Sequence, residues 1–357
     1  MNQPSEKKKI LITGAYGFVG TNLIKGISND YQVLALDLQS TSPPTPSPAL
    51  PSVAGEGKEL FAKFYSWQEL DSISWDEIDT IIHLAGKAHN TQNLADEKEY
   101  FDINVGLTQK IAERFYNSTA KKLIYFSSVK AVADSFPEGW LTEEAEPAPK
   151  TAYGRSKLEA EKALTEWLSS RRKPGSPGKS AEVGDPGLRR DDKLVFILRP
   201  CMIHGPGNKG NLNQLVGFVK SGLPWPLGAF ENQRSFTSID NLVYVIKQLI
   251  DKDIEPGIYQ MADDETLSTH ELIRMIASTM KKKSRIWNLS SGMIRGAARI
   301  GDSLRLPLNS ERLQKLTESY RVANQKLKTA LGIDRMPTTA AEGMMHTLRS
   351  LKVTREA

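Results

Sequence analysis

The sequence predicts an α/β fold, a doubly wound parallel sheet covered by helices, with a smaller, mostly helical C-terminal lobe. Three observations predict it. Short apolar runs alternate with amphipathic stretches through the first half, the pattern of parallel strands joined by helical crossovers. The run Lys9-Ile10-Leu11-Ile12-Thr13 breaks at Gly14, and a helical pattern opens behind Gly17 and Gly20. Beyond Arg199-Pro200 the alternation gives way to successive helices. At 357 residues, 39% apolar and 25% charged, the chain can bury a large core.

In chain order, strands are expected at 8–13, 32–37, 61–65, 79–84, 121–127 and 194–199, and helices at 18–28, 94–117 and 152–170. Ser40 to Gly57 carries five prolines, and Arg171 to Lys193 is rich in Gly, Pro and charge, so both are expected to be surface loop inserts. After a Pro- and Gly-rich stretch, helices are expected at 211–221 and 240–250, with Pro224 to Gly228 extended between them. Gly257 to Met261 is expected to rejoin the sheet, before helices at 268–281, 290–303, 311–317, 324–331 and 338–351. Residues 1–200 and 236–262 are therefore expected to form the first domain, with inserts 40–57 and 171–193. Residues 201–235 and 263–357 would form the lobe.

Composition excludes several classes. No apolar run approaches a membrane span, and the polar, then basic N-terminus has no secretory leader core. The single cysteine, Cys201, cannot form an internal disulfide, which suits a reducing cytoplasm. One Cys and five scattered His offer no metal spacing. The net charge of +5 comes partly from Lys7–Lys9, Arg171–Lys173 and Lys281–Arg285, none interleaved with aromatics as a nucleic-acid surface would be. These clusters read as solvated loops and helix ends. Met275, Met280 and the tryptophans read as core, and His83, on a buried strand, as structural.

Gly14 suits a sharp turn, Gly17 the close approach of a pyrophosphate, and Gly20 tight helix–strand packing. Asp37 ends the second strand at the distance where an acid would bind an adenosine ribose. This conjunction identifies a dinucleotide site. A carboxylate there repels a 2′-phosphate, so NAD is expected rather than NADP. Ligands in such a sheet bind beyond the carboxyl ends of the strands, where Gly14, Asp37, Gly86 and Ser128 all fall. Tyr153 and Lys157 lie four apart at a helix start and share a face. An adjacent ammonium favours the phenolate, which can act as a base near neutrality. Ser128 can hold the same substrate hydroxyl.

In this setting the chain resembles the extended short-chain dehydrogenase/reductases, specifically the NAD-dependent nucleotide-sugar epimerase/dehydratase family. The resemblance rests on Thr13 to Gly20, Asp37, His83-Leu84-Ala85-Gly86, Asn104 to Thr108, Ser127-Ser128, Tyr153 to Lys157, Arg199-Pro200 through Gly207, and Arg234-Ser235-Phe236. It implies a Rossmann-like NAD domain and a nucleotide-sugar-binding lobe. Tyr153 would take the C4 hydroxyl proton of a sugar, Ser128 would share that hydroxyl, and Lys157 would hold the nicotinamide ribose and lower the tyrosine pKa. Cofactor contacts are implied for Gly14, Tyr16, Gly17, Phe18, Val19, Gly20, Asp37, Leu84, Ala85, Gly86, Asn104, Tyr153, Lys157 and Pro200. Arg234 would grip the nucleotide diphosphate, with Asn211 adding a contact.

His89 and Lys130 resemble residues of a subgroup acting on UDP-N-acetylhexosamines, which includes 4-epimerases and UDP-N-acetylquinovosamine-type 4-keto reductases. The acidic residue that the family often places after the third strand is missing from Phe64-Tyr65-Ser66-Trp67. A dehydratase's Asp-Glu pair is replaced by Val129-Lys130, which disfavours dehydration. The resemblance thus implies a UDP-sugar 4-epimerase, with a 4-keto reductase as the alternative and a non-catalytic NAD-binding scaffold as a third reading. It also implies a homodimer through the helices at 94–117 and 152–170.

Overall fold

The computed structural model describes residues 6–38, 60–87, 97–137, 139–171, 193–208, 210–304 and 309–353. The expected insert 40–57, and the insert 171–193 apart from its two end residues, lie outside the described residues.

Seven strands form one parallel sheet: β1 (Lys9–Thr13), β2 (Gln32–Asp37), β3 (Lys63–Ser66), β4 (Thr80–His83), β5 (Lys122–Phe126), β7 (Leu194–Pro200) and β10 (Gly257–Met261), in the order β10-β7-β5-β4-β1-β2-β3. The middle strands are apolar on both faces, as a sheet covered twice requires. From β1 the chain builds outward through β2 and β3, then crosses to β4 and builds the other way. That reversal opens a crevice at the carboxyl ends of β1 and β4. Register aligns those ends, with Thr13 paired to both Leu36 and His83, and Phe126 to Leu198.

Helices α1 (Phe18–Ile27) and α5 (Ile239–Asp251) cover one face, where Leu23, Ile27, Leu242, Val245 and Leu249 meet Ile10, Ile12 and Phe196. Helices α2 (Glu97–Tyr116) and α3 (Ala152–Arg171) cover the other, where Ile111, Phe115, Ala160 and Leu164 meet Leu11, Ile81 and Ile197. A separate core joins α4 (Asn211–Lys220), α6 (Thr269–Thr279), α7 (Ser291–Leu304), α8 (Ser310–Thr317) and α10 (Ala340–Val353) around Trp225 and Leu227. Helix α9 (Gln325–Leu331) packs on the sheet side through Leu327 and Leu331.

Two short parallel ribbons were not expected: β6 (Trp140–Leu141) with β11 (Arg321–Val322), and β8 (Met202–His204) with β9 (Phe236–Ser238). At two or three residues each they are too short to leave a period in the sequence. The expectation that the tryptophans are core holds for Trp225 and fails for Trp140 and Trp287, which are 46% and 57% exposed.

Two lysines at strand starts close the ends of helices. Lys122 Nζ donates to the carbonyls of Leu249, Ile250 and Lys252 at the end of α5. Lys193 Nζ donates to the carbonyls of Phe115, in the last turn of α2, and of Ser118 and Ala120 beyond it. An ammonium there meets both the carbonyls of the helix end and the negative end of the helix dipole. Lys193→Met strips those carbonyls of their donor, and should lower stability by about 1–3 kcal/mol. A urea midpoint equal to wild type would show that the cap carries no weight.

Candidate active site

The turn after β1 is shaped to admit a ligand. Gly14 sits at φ 70°, and a Cβ there would lie 2.8 Å from the Ala85 nitrogen. A Cβ on Gly20 would lie 2.3 Å from the Gly14 carbonyl oxygen, so only glycine lets α1 start this close to the strand. Gly17 caps α1 with no side chain, leaving the first-turn amides of Phe18, Val19 and Gly20 without a side-chain acceptor. A helix start with no side-chain cap and no acid in its first turn favours an anion.

Asp37 closes the far side. Its carboxylate accepts from the Tyr16 and Leu38 amides, both at 2.7 Å. The Tyr16 ring stacks on Phe64 of β3 at 5.3 Å. After β3, Ser66 is engaged by Glu69, which accepts from its amide and hydroxyl at 2.8 Å. Across the crevice, Leu84 and Ala85 are pinned to Thr13 by their amides. His83 is held between Thr13 and Thr108 hydroxyls, and burial pulls its pKa down to about 3, so it is a neutral structural residue. These groups fit a dinucleotide: a glycine turn with free amides, and an acid at the next strand end.

The residues expected to transfer the proton, Ser128, Tyr153 and Lys157, lie just beyond β5 and in the first turns of α3. Ser128 pulls the Tyr153 phenol's pKa down, but burial acts more strongly, and the net direction is up. Lys157 is itself buried, donates to the Phe126 carbonyl at 2.8 Å, and lies over the Tyr125 ring at 5.0 Å. Burial pulls its pKa down to about 8, partly offset by Glu161. Glu161 is held by Arg199 at 2.9 and 2.5 Å in a fully buried fork.

Asn104 supports the set. Its Oδ1 accepts from the Lys87 amide at 2.7 Å, and its Nδ2 donates to Ser156 Oγ, which donates to the Tyr153 carbonyl. Gly86 lies beneath it, where a Cβ would sit 2.7 Å from Asn104 Oδ1 and 3.4 Å from Lys157 Nζ. Pro200 is buried at the end of β7, paired to Met261.

Sequence reasoning did not single out Tyr100, whose ring meets Tyr153 edge-on at 6.2 Å. Its position one helical turn before Asn104 was a usable signal. Nor did it find Tyr320, which no local pattern marks. The Tyr320 hydroxyl donates to the Ala133 carbonyl at 2.7 Å, and Lys130 Nζ lies 5.2 Å from its ring centre. Lys130 also donates to the Asp134 carbonyl. The Asp134 carboxylate accepts from the Lys150 and Thr151 amides and the Thr151 hydroxyl, tying this turn to the start of α3. Lys130, expected at the substrate, is thus occupied in bracing the turn that follows Ser128.

Arg234 lies between Gln233, whose carbonyl accepts from the Tyr320 amide, and Ser235, whose amide donates to the Tyr320 carbonyl. Its guanidinium donates to the Lys315 carbonyl, while its Nε is buried with no partner among the described residues. Burial pulls its pKa down. His89 lies outside the described residues, and of Asn211 only the backbone, at the start of α4, is described.

A family model described as the NAD dependent epimerase/dehydratase family matches residues 10–262. The chain is 30% identical over 295 residues to a UDP-glucose 4-epimerase of Vibrio cholerae, covering 79% of this chain and 78% of that one. It is 26% identical over 277 residues to the N-acetyl-α-D-glucosaminyl-diphospho-ditrans,octacis-undecaprenol 4-epimerase of Escherichia coli O157:H7, covering 77% and 73%. Among solved structures, a UDP-glucuronic acid 4-epimerase from Bacillus cereus in complex with NAD superposes with a TM-score of 0.68 at 18% identity, over 97% and 99% of the two chains. A UDP-N-acetylglucosamine 4-epimerase from Bacillus cereus gives 0.67 at 17%, over 98% and 99%. At these identities the structural likeness attests the fold.

The Lys157 pKa yields a test of its burial. Between about 8 and the ordinary 10.5, the unfolded chain holds a proton that the folded chain has released. Stability gained through this group therefore rises with pH across that window. Urea unfolding from pH 8 to 10 should show a slope for Lys157→Met that is less positive than wild type by up to about 1.4 kcal/mol per pH unit. Parallel slopes would mean that the ammonium is solvated.

Proposed function

The chain belongs to the NAD-dependent epimerase/dehydratase family, and from that premise we propose that it is a UDP-sugar 4-epimerase of the UDP-glucose or UDP-N-acetylglucosamine type. The observation that carries this reading is that Ser128 acts on the Tyr153 phenol near the end of β5, where the buried Lys157 ammonium is anchored to the Phe126 carbonyl. The matching relatives include 4-epimerases at 30% and 26% identity.

In this reading Tyr153 is the base that removes the proton from the sugar's C4 hydroxyl and later returns it. Ser128 donates to that oxygen and keeps it in line with the phenol. Lys157 holds a positive charge where the phenolate forms, which favours proton transfer. NAD, when bound, supplies a hydride acceptor that later returns the hydride, so no cofactor is consumed. The turn from Gly14 to Gly20 and the Asp37 carboxylate would hold it, and Tyr16, Phe18, Val19, Leu84, Ala85, Gly86, Asn104 and Pro200 would line its path. Arg234 offers its unpartnered Nε to the nucleotide diphosphate. Val129 and Lys130 supply no acid–base pair for water elimination. The reading includes a cytoplasmic homodimer paired through α2 and α3; a monomer by light scattering would remove the dimer.

Incubation with UDP-glucose and UDP-N-acetylglucosamine, with no added reductant, should give the C4 epimer without net NADH change. Stoichiometric NADH oxidation on a 4-keto sugar would indicate a reductase instead, and binding without turnover a scaffold. Tyr153→Phe should lower kcat by roughly 10²- to 10⁴-fold while NAD binding persists. Retained turnover would exclude Tyr153 as the base.

Two further variants separate the two ligands. Asp37→Ala should raise the NAD Michaelis constant and relax the preference over NADP, and unchanged cofactor kinetics would contradict its assignment. Arg234→Ala should weaken nucleotide-sugar binding alone. Equal weakening of NAD binding would count against its role.

A further inference from the structure

We propose that the surface formed by Lys281–Arg285, Trp287, Leu289 and the outward stripe of α7 docks on an anionic phospholipid bilayer, resting on it without crossing it. Between Glu271 and Asp302 the chain carries seven cationic side chains and no carboxylate. Lys281, Lys282, Lys283 and Arg285 are exposed and form no ion pair among the described residues. Lys282 and Arg285 meet only the neutral carbonyls of Lys220 and Gly222.

The chain that follows directly exposes large apolar side chains. Trp287 is 57% exposed, Met293 69% and Ile300 59%, with Leu289 beside them in the chain. Ile294 and Ala298 turn α7 toward the core. At about 100° per residue, Met293, Ala297 and Ile300 then fall within a sector of about 60° on the outer side. Residues 285–288 run extended alongside Trp225 and Leu227, so Arg285 and Trp287 point to one side. A cleft of about 360 Å³ opens next to them, floored by Phe218, Leu223 and Trp225 and rimmed by Lys282, Lys283 and Arg285.

Cations around a tryptophan and an apolar helical stripe are what an interfacial element presents to anionic lipid. A second copy of this chain fits less well, because it would set cations against cations. A nucleic acid would satisfy the lysines and leave Met293 and Ile300 uncovered. No helix among the described residues is long and apolar enough to cross a membrane, which leaves a surface contact. The inference does not depend on the proposed reaction, since it is read by binding alone.

The test is co-sedimentation of the full chain with phosphatidylcholine vesicles, either pure or with roughly one third phosphatidylglycerol. Partition onto the anionic vesicles should exceed that onto neutral ones at least about tenfold, and should collapse between about 0.1 M and 1 M salt. Lys281→Glu/Lys282→Glu/Lys283→Glu should abolish the preference. Trp287→Ser/Met293→Ser/Ile300→Ser should weaken partition at least about fivefold, with NAD binding unchanged in both variants. Equal partition onto the two vesicles, or none, overturns the proposal with wild-type protein alone. So does loss of a dimer, without effect on vesicle binding, in the apolar variant.

Discussion

The burial of the Lys157 ammonium is the constraint around which the rest of the site is arranged. A lysine inside a protein pays a desolvation cost, and here one carbonyl and one nearby carboxylate offset it. The carboxylate, Glu161, is already taken by Arg199. The cluster therefore holds two cations and one anion, a surplus of one positive charge at the mouth of the sheet. Burial is what depresses the pKa of Lys157, and Glu161 partly offsets it. The surplus makes ionisation of the Tyr153 phenol the event that would neutralise the cluster. Tyr153 keeps its proton because burial outweighs the pull of Ser128.

Around this charge, the two pieces of chain that must meet are locked rather than merely adjacent. The turn after Ser128 is closed by Lys130 and Asp134, and Asp134 anchors the start of α3. A Cβ on Gly154 would lie 2.4 Å from the Lys130 carbonyl, so the absence of a side chain there lets the turn and the helix touch. From behind, Asn104 grips the Lys87 amide and, through Ser156, the Tyr153 carbonyl. Preorganisation of this kind lets a hydroxyl and a phenol act on one substrate oxygen without reorganising the backbone.

The parallel sheet was legible because each of its long strands is an apolar run ended by a turn signal, and parallel strands buried on both faces need that composition. The placement of Gly14, Asp37 and Ser128 at strand ends was legible because such ends converge in this kind of sheet, and the shared face of Tyr153 and Lys157 because they stand four apart on a helix. What escaped was non-local. Tyr320 reaches the Ser128 turn from 192 positions away in sequence. The ribbon of β6 and β11 joins segments similarly remote. Lys130 looked available because sequence shows its charge and hides its partners. Trp140 and Trp287 looked internal because size and apolarity predict burial only on average.

Tyr320 also suggests how binding in one lobe reaches chemistry in the other. Arg234 sits between the two residues whose backbones pair with Tyr320, so the guanidinium and the tyrosine are presented by the same short bridge. The tyrosine hydroxyl ends on the Ala133 carbonyl, within the turn that positions Ser128. An anion gripped by Arg234 would steady this bridge, and the bridge steadies the turn. Binding energy collected at a non-reacting phosphate could then be spent on holding the hydroxyl that shares the reacting oxygen. A geometry in which the anion clamp and the proton set were carried by independent loops would offer no such route.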